Sequence, residues 1–372
     1  MCKVIMIGCD LHDRSMLLRY AVGNGEPRQA SYRNDTEGRD KMIVMLLELA
    51  RHEQAERTVF VYEASGQGYG LCDLLTEHGL ECHVLSPTHL PKTPKSAKQK
   101  TDVRDAQMLL EQVRGHVLAG NSLPVVWTPP QRLRDDRELV RARIDLADEL
   151  TRVKLQILSL LKRRGIAKPA WYTPRWSQRF LQWLRAEVAS RLDAVVAPVL
   201  EGLVARYEVL QAEQVRLETA LRALSQTERY RAACAELRKL PGVGLLSALT
   251  FLTEMGDLHR FHNRREVAAY LGLCPSSFES GETSDRKGRI TRQGPARLRK
   301  ILCQAAWVSL RYCDESSRTY QRIRGGKSHR TKKALVAVMR RLAIKMWHRA
   351  AACGVSTELA GRGGPHGFVQ AA

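Results

Sequence analysis

Three short apolar runs, separated by helical patterns, constrain the first 85 residues more than any other feature of the chain. Lys3 to Cys9, Thr58 to Tyr62 and Cys82 to Leu85 have the composition of buried strands. Between them, Thr36 to Ala50 carries apolar residues at helical spacing, and Tyr69 to His78 predicts a shorter helix. Strands that alternate with helices are typical of an α/β domain with a parallel sheet.

Two further strands are predicted directly after the first one. Ser15 to Val22 and Pro27 to Tyr32 are joined by the turn signal Gly23-Asn24-Gly25. A strand hairpin followed by alternating helices and parallel strands is the layout of a ribonuclease H-like domain, which we place at residues 1–125. A dinucleotide site is excluded, because Leu71 stands where the third glycine of that fingerprint belongs.

The rest of the chain has a helical pattern, so the predicted fold class is α/β plus α. Gln131 to Arg164 predicts one long helix, and Arg179 to Lys239 is also helical with a break near Pro198. Residues 126–236 would form either an antiparallel coiled-coil arm or an ordinary helical bundle. Residues 237–353 predict a mostly helical C-terminal domain, and residues 354–372 a flexible tail.

Four acidic residues fall where an α/β sheet places a functional site. Asp10 and Glu63 end the first and second core strands, and Asp102 and Asp105 lie three residues apart at the start of a helix. A single such acid is commonly a turn or cap residue. Four together would repel one another unless a hard cation lies among them. The pattern therefore predicts a Mg²⁺ site for phosphoryl transfer.

The net charge indicates a polyanionic partner. Lys and Arg number 60 against 39 Asp and Glu, which gives +21 and a pI near 9.9. Nucleic acid is favoured over an anionic membrane, because no apolar face accompanies the basic stretches. The nine cysteines form no CxxC pair, which argues against a zinc knuckle or a disulfide framework and favours a reducing cytosol. The predicted nucleic-acid contacts are Lys92, Lys95, Lys98, Lys100, Arg286, Lys287, Arg289, Arg292, Arg297, Arg299, Arg324, Lys327, Arg330 and Lys332.

The turn Leu240-Pro241-Gly242-Val243-Gly244 precedes an apolar helix. Such a turn resembles the helix-hairpin-helix motif, whose backbone N–H groups bind a phosphate. A simple Pro-Gly turn between helices is the alternative.

In combination, these motifs resemble the DEDD insertion-sequence transposases, which have a RuvC-like N-terminal domain. The resemblance covers nearly the whole chain in order. Cys274 and the His12-Asp13 pair depart from the usual pattern. The matching segments are Asp10, Glu63 to Gly66, Thr101 to Ala106, Leu240 to Gly244, Leu271 to Pro275, Ser280-Gly281, Gly288 to Gly294 and Leu298-Arg299.

The resemblance implies a DNA recombinase guided by a structured noncoding RNA, called bridge RNA, that pairs with donor and target DNA. It implies that Asp10, Glu63, Asp102 and Asp105 bind Mg²⁺ and that Ser280 forms a covalent phosphoserine link with DNA. Ser276, Ser277 and Ser284 are close enough to remain alternative nucleophiles. It also implies a dimer-to-tetramer homo-oligomer in which the two domains meet across protomers, and a bacterial cytoplasmic protein that associates with the nucleoid when acting.

Two other functions fit the same residues. A hydrolytic RuvC-like nuclease or Holliday-junction resolvase would need the four acids but not Ser280. A non-catalytic nucleic-acid-binding protein would need neither.

Overall fold

A five-stranded mixed sheet forms the framework of the N-terminal unit, which ends at Pro129. The computed structural model describes residues 3–91, 101–280 and 283–354, and only the backbone at 277–280 and 283–287. The strands are β1 (Val4–Leu11), β2 (Ser15–Val22), β3 (Arg28–Arg33), β4 (Arg57–Glu63) and β5 (Glu81–Leu85), and the helices are α1 (Thr36–His52), α2 (Gly70–Glu77) and α3 (Asp102–Ala119).

The strand order is β3-β2-β1-β4-β5. β1, β2 and β3 pair antiparallel, whereas β4 and β5 continue the sheet parallel to β1. This is the predicted arrangement of a hairpin followed by parallel strands, so the α/β prediction for this part of the chain is confirmed.

β1 and β4 are buried on both faces, which explains why their sequences are continuously apolar rather than alternating. One face, with Ile7, Cys9 and Tyr62, packs against residues of α1 and α2. The other face, with Met6 and Val61, packs against α3. Because side chains alternate along a strand, Asp10 and Glu63 lie on the α3 face.

The second unit begins at Pro130 and is mostly helical, as predicted. The described part of it contains α4 (Gln131–Arg163), α5 (Gln178–Trp183), α6 (Ala197–Ser225), α7 (Glu228–Arg238), α8 (Leu245–Met255), α9 (Arg264–Tyr270), α10 (Ala296–Tyr312), α11 (Asp314–Arg324) and α12 (Thr331–Ala351), with a hairpin of β6 (Pro275–Ser280) and β7 (Thr283–Ile290). None of the described helices is long and apolar enough to cross a membrane.

The long helix predicted at Gln131 to Arg164 is confirmed as α4, and it packs against α6 and α8. The predicted break near Pro198 lies just before that residue. Pro198 stands in the first turn of α6, where its missing N–H has no helical partner to lose. A domain boundary at residue 236 and a coiled-coil arm stay predictions.

A buried ion pair connects α4 to α7. Arg229 donates to both carboxylate oxygens of Asp136 at 2.9 and 2.7 Å, and the Tyr230 hydroxyl donates to the same carboxylate at 2.8 Å. The Asp136 and Arg229 side chains are only 8% and 9% exposed. Burial and the nearby Asp136 charge raise the pKa of Tyr230.

Asp136→Ala should lower the free energy of unfolding by about 3–5 kcal/mol, because it leaves the Arg229 charge buried without its partner. Urea denaturation measures this change. Asp148→Ala is the matched control on the same helix, since its pair with Lys300 is 2.5 Å long but solvent-exposed. Loss of that exposed pair should cost about 1 kcal/mol or less. Equal losses in the two variants would contradict the assignment.

Candidate active site

Asp10 and Glu63 lie at neighbouring strand ends. The register pairs Cys9 with Tyr62, so each acid is the next residue along two adjacent parallel strands. The carboxyl ends of parallel strands are where α/β sheets place their sites. The sequence prediction that these two acids share one sheet edge is therefore consistent with the strand register.

Gly8 allows α3 to approach β1 closely and so brings the other two acids to this edge. A Cβ atom on Gly8 would lie 2.4 Å from the Ala106 carbonyl oxygen and 2.3 Å from the Leu110 nitrogen. No side chain fits in that space, and the helix backbone rests directly on the strand. Asp102 and Asp105 occupy the first turn of this helix.

Three side chains form a compact group at this point. The Asp10, His12 and Asp102 side chains each offer a ligand atom, and these atoms all lie within 4.8 Å of one another. His12 Nε2 lies 3.1 Å from Asp10 Oδ2 and 3.5 Å from Asp102 Oδ1. The Asp10 side chain is 17% exposed and that of Asp102 is 59% exposed, so the group is open to solvent on the helix side.

The electrostatics of Asp10 reflect this crowding. Burial raises the pKa of the Asp10 carboxyl, and the charges of Asp102 and Asp105 raise it further. The neighbouring His12 lowers it in part, through its charge and its hydrogen bond. Asp10 is therefore a carboxylate whose ionised form would be stabilised by a nearby cation.

The remaining two predicted acids lie outside this compact group. The charge of Asp105 raises the pKa of Asp10. Asp105 lies about one helical turn from Asp102, so the two face the same side of α3. Glu63 is exposed at the end of β4. The described structure thus brings together Asp10 and Asp102 directly, while Asp105 lies in the same helical turn as Asp102 and Glu63 ends the neighbouring strand.

His12 was not among the predicted site residues. Asp10 and His12 are two residues apart at the end of β1, and a period of two places them on the same face of a strand. This Asp-x-His spacing is the sequence signal that would have identified the histidine.

An open cleft borders the group. It has a volume of about 500 Å³ and is lined by the turn after β1 and the loop after β4, including His12, Arg14, Ser65 and Gln67. The Gln67 amide donates to the Asp13 carboxylate, which connects the two loops. Arg14 is the cationic side chain in this lining.

The donor set fits a divalent metal ion. Asp10 and Asp102 supply carboxylate oxygens, the ligands that Mg²⁺ and Mn²⁺ prefer. His12 Nε2 lies within hydrogen-bond distance of the Asp10 carboxylate. The closeness of the Asp10 and Asp102 carboxylates also favours a cation between them.

A divalent cation should raise the Tm at pH 7–8 by binding only the folded chain. The effect should shrink as the pH falls toward the raised pKa of Asp10, because protons then compete with the metal for that carboxylate. Differential scanning fluorimetry with Mg²⁺ and with Mn²⁺ at several pH values measures it. An undiminished Tm shift in Asp102→Asn would contradict the assignment.

The C-terminal motifs meet through their backbones. A Cβ atom on Gly272 would lie 2.1 Å from the Gln293 carbonyl oxygen, and one on Gly294 would lie 1.8 Å from that of Tyr270. Both glycines also have positive φ. Gly272 and Gly294 are therefore required where these two segments pack backbone against backbone.

Ser280 is the last residue of β6, and its backbone pairs with Thr283. The side chains of Ser277, Ser280 and Ser284 lie outside the described atoms. Ser276 differs from them, because its hydroxyl donates to the Arg289 carbonyl oxygen at 3.0 Å. A hydroxyl held in a backbone hydrogen bond is a weaker candidate for the nucleophile.

Arg297 and Arg299, two of the predicted nucleic-acid contacts, have partners within the chain. Arg297 forms two hydrogen bonds with Asp145, at 3.0 and 2.7 Å, and Lys300 beside it pairs with Asp148. Arg299 donates to three backbone carbonyls, at 2.8–3.3 Å. Their contact with nucleic acid stays a prediction.

The other basic residues are distributed differently. Arg289, Arg292, Lys327, Arg330 and Lys332 are exposed, and Arg324 is half-buried. Only the backbone is described at Arg286 and Lys287. Lys92, Lys95, Lys98 and Lys100 lie outside the described residues.

The turn at Leu240 to Gly244 has a packing role. Gly242 has a φ of +90°, and a Cβ atom there would lie 2.3 Å from the Ala305 carbonyl oxygen of α10. The turn is therefore fixed against α10, while Gly244 at the start of α8 is exposed.

Comparisons with known proteins match both halves of the chain. A family model for DEDD transposases of the IS110 type matches residues 7–165, and the model for the IS116/IS110/IS902 transposase family matches residues 234–322. The first match contains the four acids, and the second contains the Gly242 turn, the β6–β7 hairpin and α10.

Individual relatives agree with the family models. A putative transposase of Sinorhizobium fredii is 33% identical over 253 residues, which are 68% of this chain and 59% of the relative. The transposase for insertion sequence element IS1533 of Leptospira borgpetersenii is 25% identical over 82% of this chain and 85% of its own length. The transposase for IS1111A of Coxiella burnetii is 26% identical over 63% of this chain and 61% of its own length.

The sheet edge with its acids and the glycine-packed C-terminal motifs are thus the parts that the two family models cover. The chain belongs to the IS110/IS116/IS902 family of transposases.

Proposed function

We propose that this chain is an RNA-guided DNA recombinase that moves an insertion sequence. Asp10, Glu63, Asp102 and Asp105 hold Mg²⁺, Ser280 is the nucleophile, and a structured bridge RNA selects donor and target DNA. The observation that carries the proposal is the convergence of Asp10 and Asp102 at one sheet edge, where the close approach of α3 at Gly8 places them. Family membership supports the DNA-recombining activity.

The acids have a defined task in this scheme. Bound Mg²⁺ would act as a Lewis acid that stabilises negative charge on the phosphoryl oxygens. Asp10 and Asp102 would hold the ion, and His12 would keep the Asp10 carboxylate oriented through its 3.1 Å hydrogen bond. Arg14 in the neighbouring cleft is placed to hold a phosphate of the DNA strand.

The serine supplies the covalent chemistry. The Ser280 oxygen attacks phosphorus, a new P–O bond forms and one P–O bond to deoxyribose breaks. The proton lost by the serine hydroxyl is balanced by one that the leaving deoxyribose oxygen takes up from solvent. The strand leaves with a free hydroxyl. Because the phosphoserine ester keeps the energy of the broken phosphodiester, the reverse attack rejoins strands without ATP.

The proposed assembly brings together groups that belong to different units of the chain. The acids belong to the first compact unit and Ser280 to the second. In the proposed dimer or tetramer, the acidic site of one protomer acts with the serine of another, which withholds cleavage until assembly. The charge of +21 supports a complex that contains RNA and two DNA duplexes.

A covalent-adduct assay tests the proposal. Wild-type protein with Mg²⁺, its RNA and labelled DNA should give a protein–DNA adduct that survives denaturation. Ser280→Ala should abolish the adduct, because a nucleophile has no substitute for its oxygen. Ser276→Ala should retain it, since that hydroxyl is bonded to a backbone carbonyl.

The other outcomes identify the alternatives. Free cleaved ends without an adduct, still formed by Ser280→Ala, would contradict the serine and indicate a hydrolytic nuclease. Adduct formation that persists without RNA would contradict RNA guidance. DNA binding without cleavage in both wild type and Asp10→Asn would indicate a non-catalytic binding protein.

A further inference from the structure

We propose that a small cationic cavity in the second unit binds a backbone phosphodiester of the nucleic acid that the chain handles. This inference rests on the proposed function. The cavity has a volume of about 180 Å³ and lies between α10, α11, α12 and the turn before α8. Its charged walls are Lys239, Arg341, Lys345, Arg349 and Glu315.

The charges in this lining are unbalanced in favour of the cations. Glu315 pairs with both Arg341 and Lys345, so one carboxylate is shared by two cations. Within the described part of the chain, no carboxylate lies within ion-pair distance of Arg349. An anion bound here would therefore pair with the cationic side chains that the single carboxylate of Glu315 does not neutralise.

A second feature of the lining also favours a bound anion. Cys313 lines it and stands at the N-terminus of α11. Hydrogen bonds from Ser316 lower the pKa of the Cys313 thiol, and the backbone of Glu315 and the charge of Lys345 lower it further. Helix N-terminal N–H groups and nearby cations stabilise a phosphate oxygen in the same way as they stabilise a thiolate.

The size of the cavity selects the ligand. Pockets for whole cofactors or drug-sized ligands measure about 300–1,000 Å³. A space of about 180 Å³ is smaller than that. The fork of Arg349 and the ammonium of Lys345 suit a phosphate. A backbone phosphate of a longer strand is the ligand that fits both the volume and the charge.

The salt dependence of nucleic-acid binding provides the first test. Arg349→Gln should make the slope of log K against log [salt] shallower by about 1, because one phosphate contact is lost. Arg349→Lys should keep most of the slope. Arg340→Gln is the matched control, since it removes one charge from the same helix outside the cavity. An unchanged slope in Arg349→Gln, or an equal change in Arg340→Gln, would overturn the proposal.

The native Cys313 provides a second test that needs no variant. Inorganic phosphate, duplex DNA and single-stranded RNA should each be tested for slowing the alkylation of Cys313, followed by peptide mass spectrometry. We expect at least about a threefold slowing at Cys313 and none at Cys303, which does not line the cavity. Protection by duplex DNA or by RNA identifies which strand supplies the phosphate.

The two proposals fail in different ways. If no phosphate-bearing probe protects Cys313 while DNA is still cleaved with an adduct, the cavity proposal is wrong and the proposed function stands. If Cys313 is protected by nucleic acid but no cleavage occurs in any condition, the proposed function is wrong and the phosphate cavity stands.

Discussion

Asp10→Asn should reduce metal-dependent DNA cleavage by about 10³-fold or more. A bound metal supplies several kcal/mol of transition-state stabilisation, and each 1.36 kcal/mol is a factor of ten in rate. Asp10 is the least exposed member of the compact group and lies beside both His12 and Asp102, so its loss removes the carboxylate that the other two side chains surround. Single-turnover cleavage of labelled DNA measures the rate.

The same variant should not destabilise the metal-free protein. The folded-state pKa of Asp10 is raised by burial and by Asp102 and Asp105. A raised carboxyl pKa gives stability that is fully present below the unfolded pKa and is lost as the pH rises through the folded one. At neutral pH the ionised Asp10 carboxylate therefore destabilises the metal-free fold. The neutral Asn side chain removes that charge, so the Tm without metal should equal or exceed that of wild type. A lower Tm would indicate that lost activity reflects misfolding.

Gly8→Val should remove both fold stability and activity. Its side chain would enter a space in which a Cβ atom already lies 2.3 Å from the Leu110 nitrogen and 2.4 Å from the Ala106 oxygen. Both atoms are helix backbone, so α3 must move as a body. We expect a loss of about 1–3 kcal/mol or more of unfolding free energy. Cleavage should fall further than this loss explains, because Asp102 and Asp105 move with the helix.

Gly70→Ala is the control for this variant. Gly70 lies at the start of α2 in the same unit, and a Cβ atom there meets no heavy atom within 4 Å. Its unfolding midpoint in urea and its cleavage rate should match those of wild type. Gly8→Val with wild-type stability and cleavage would show that α3 does not need this close approach.

Much of the N-terminal architecture follows from local patterns. The apolar runs at β1, β4 and β5 and the Gly23 turn predicted the sheet, because buried parallel strands need continuous apolar sequence and a hairpin needs its turn residues. The acids at strand ends also predicted a site, since strand ends meet at one edge. His12 was missed because an exposed histidine in a turn has no periodic signal beyond its spacing from Asp10.

Tertiary packing determined the roles of several residues that the sequence patterns did not reveal. Glycines 8, 242, 272 and 294 look like ordinary breakers in the sequence, and only the tertiary structure shows which backbone each one admits. In the same way, Arg299 belongs to a basic stretch, yet it donates to three carbonyls because the chain folds back on itself there. The positions of basic residues in the sequence do not show which of them will find ion-pair or hydrogen-bond partners within the folded chain.

The sequence by itself determined the α/β order of the first unit, the helical character of the second and the four acidic candidates. Those properties depend on burial periodicity and turn chemistry, which are local. The tertiary structure alone decided that Asp10, His12 and Asp102 form the compact group. That choice depends on how closely α3 approaches β1, which is a contact between residues about a hundred positions apart at Gly8 and Leu110.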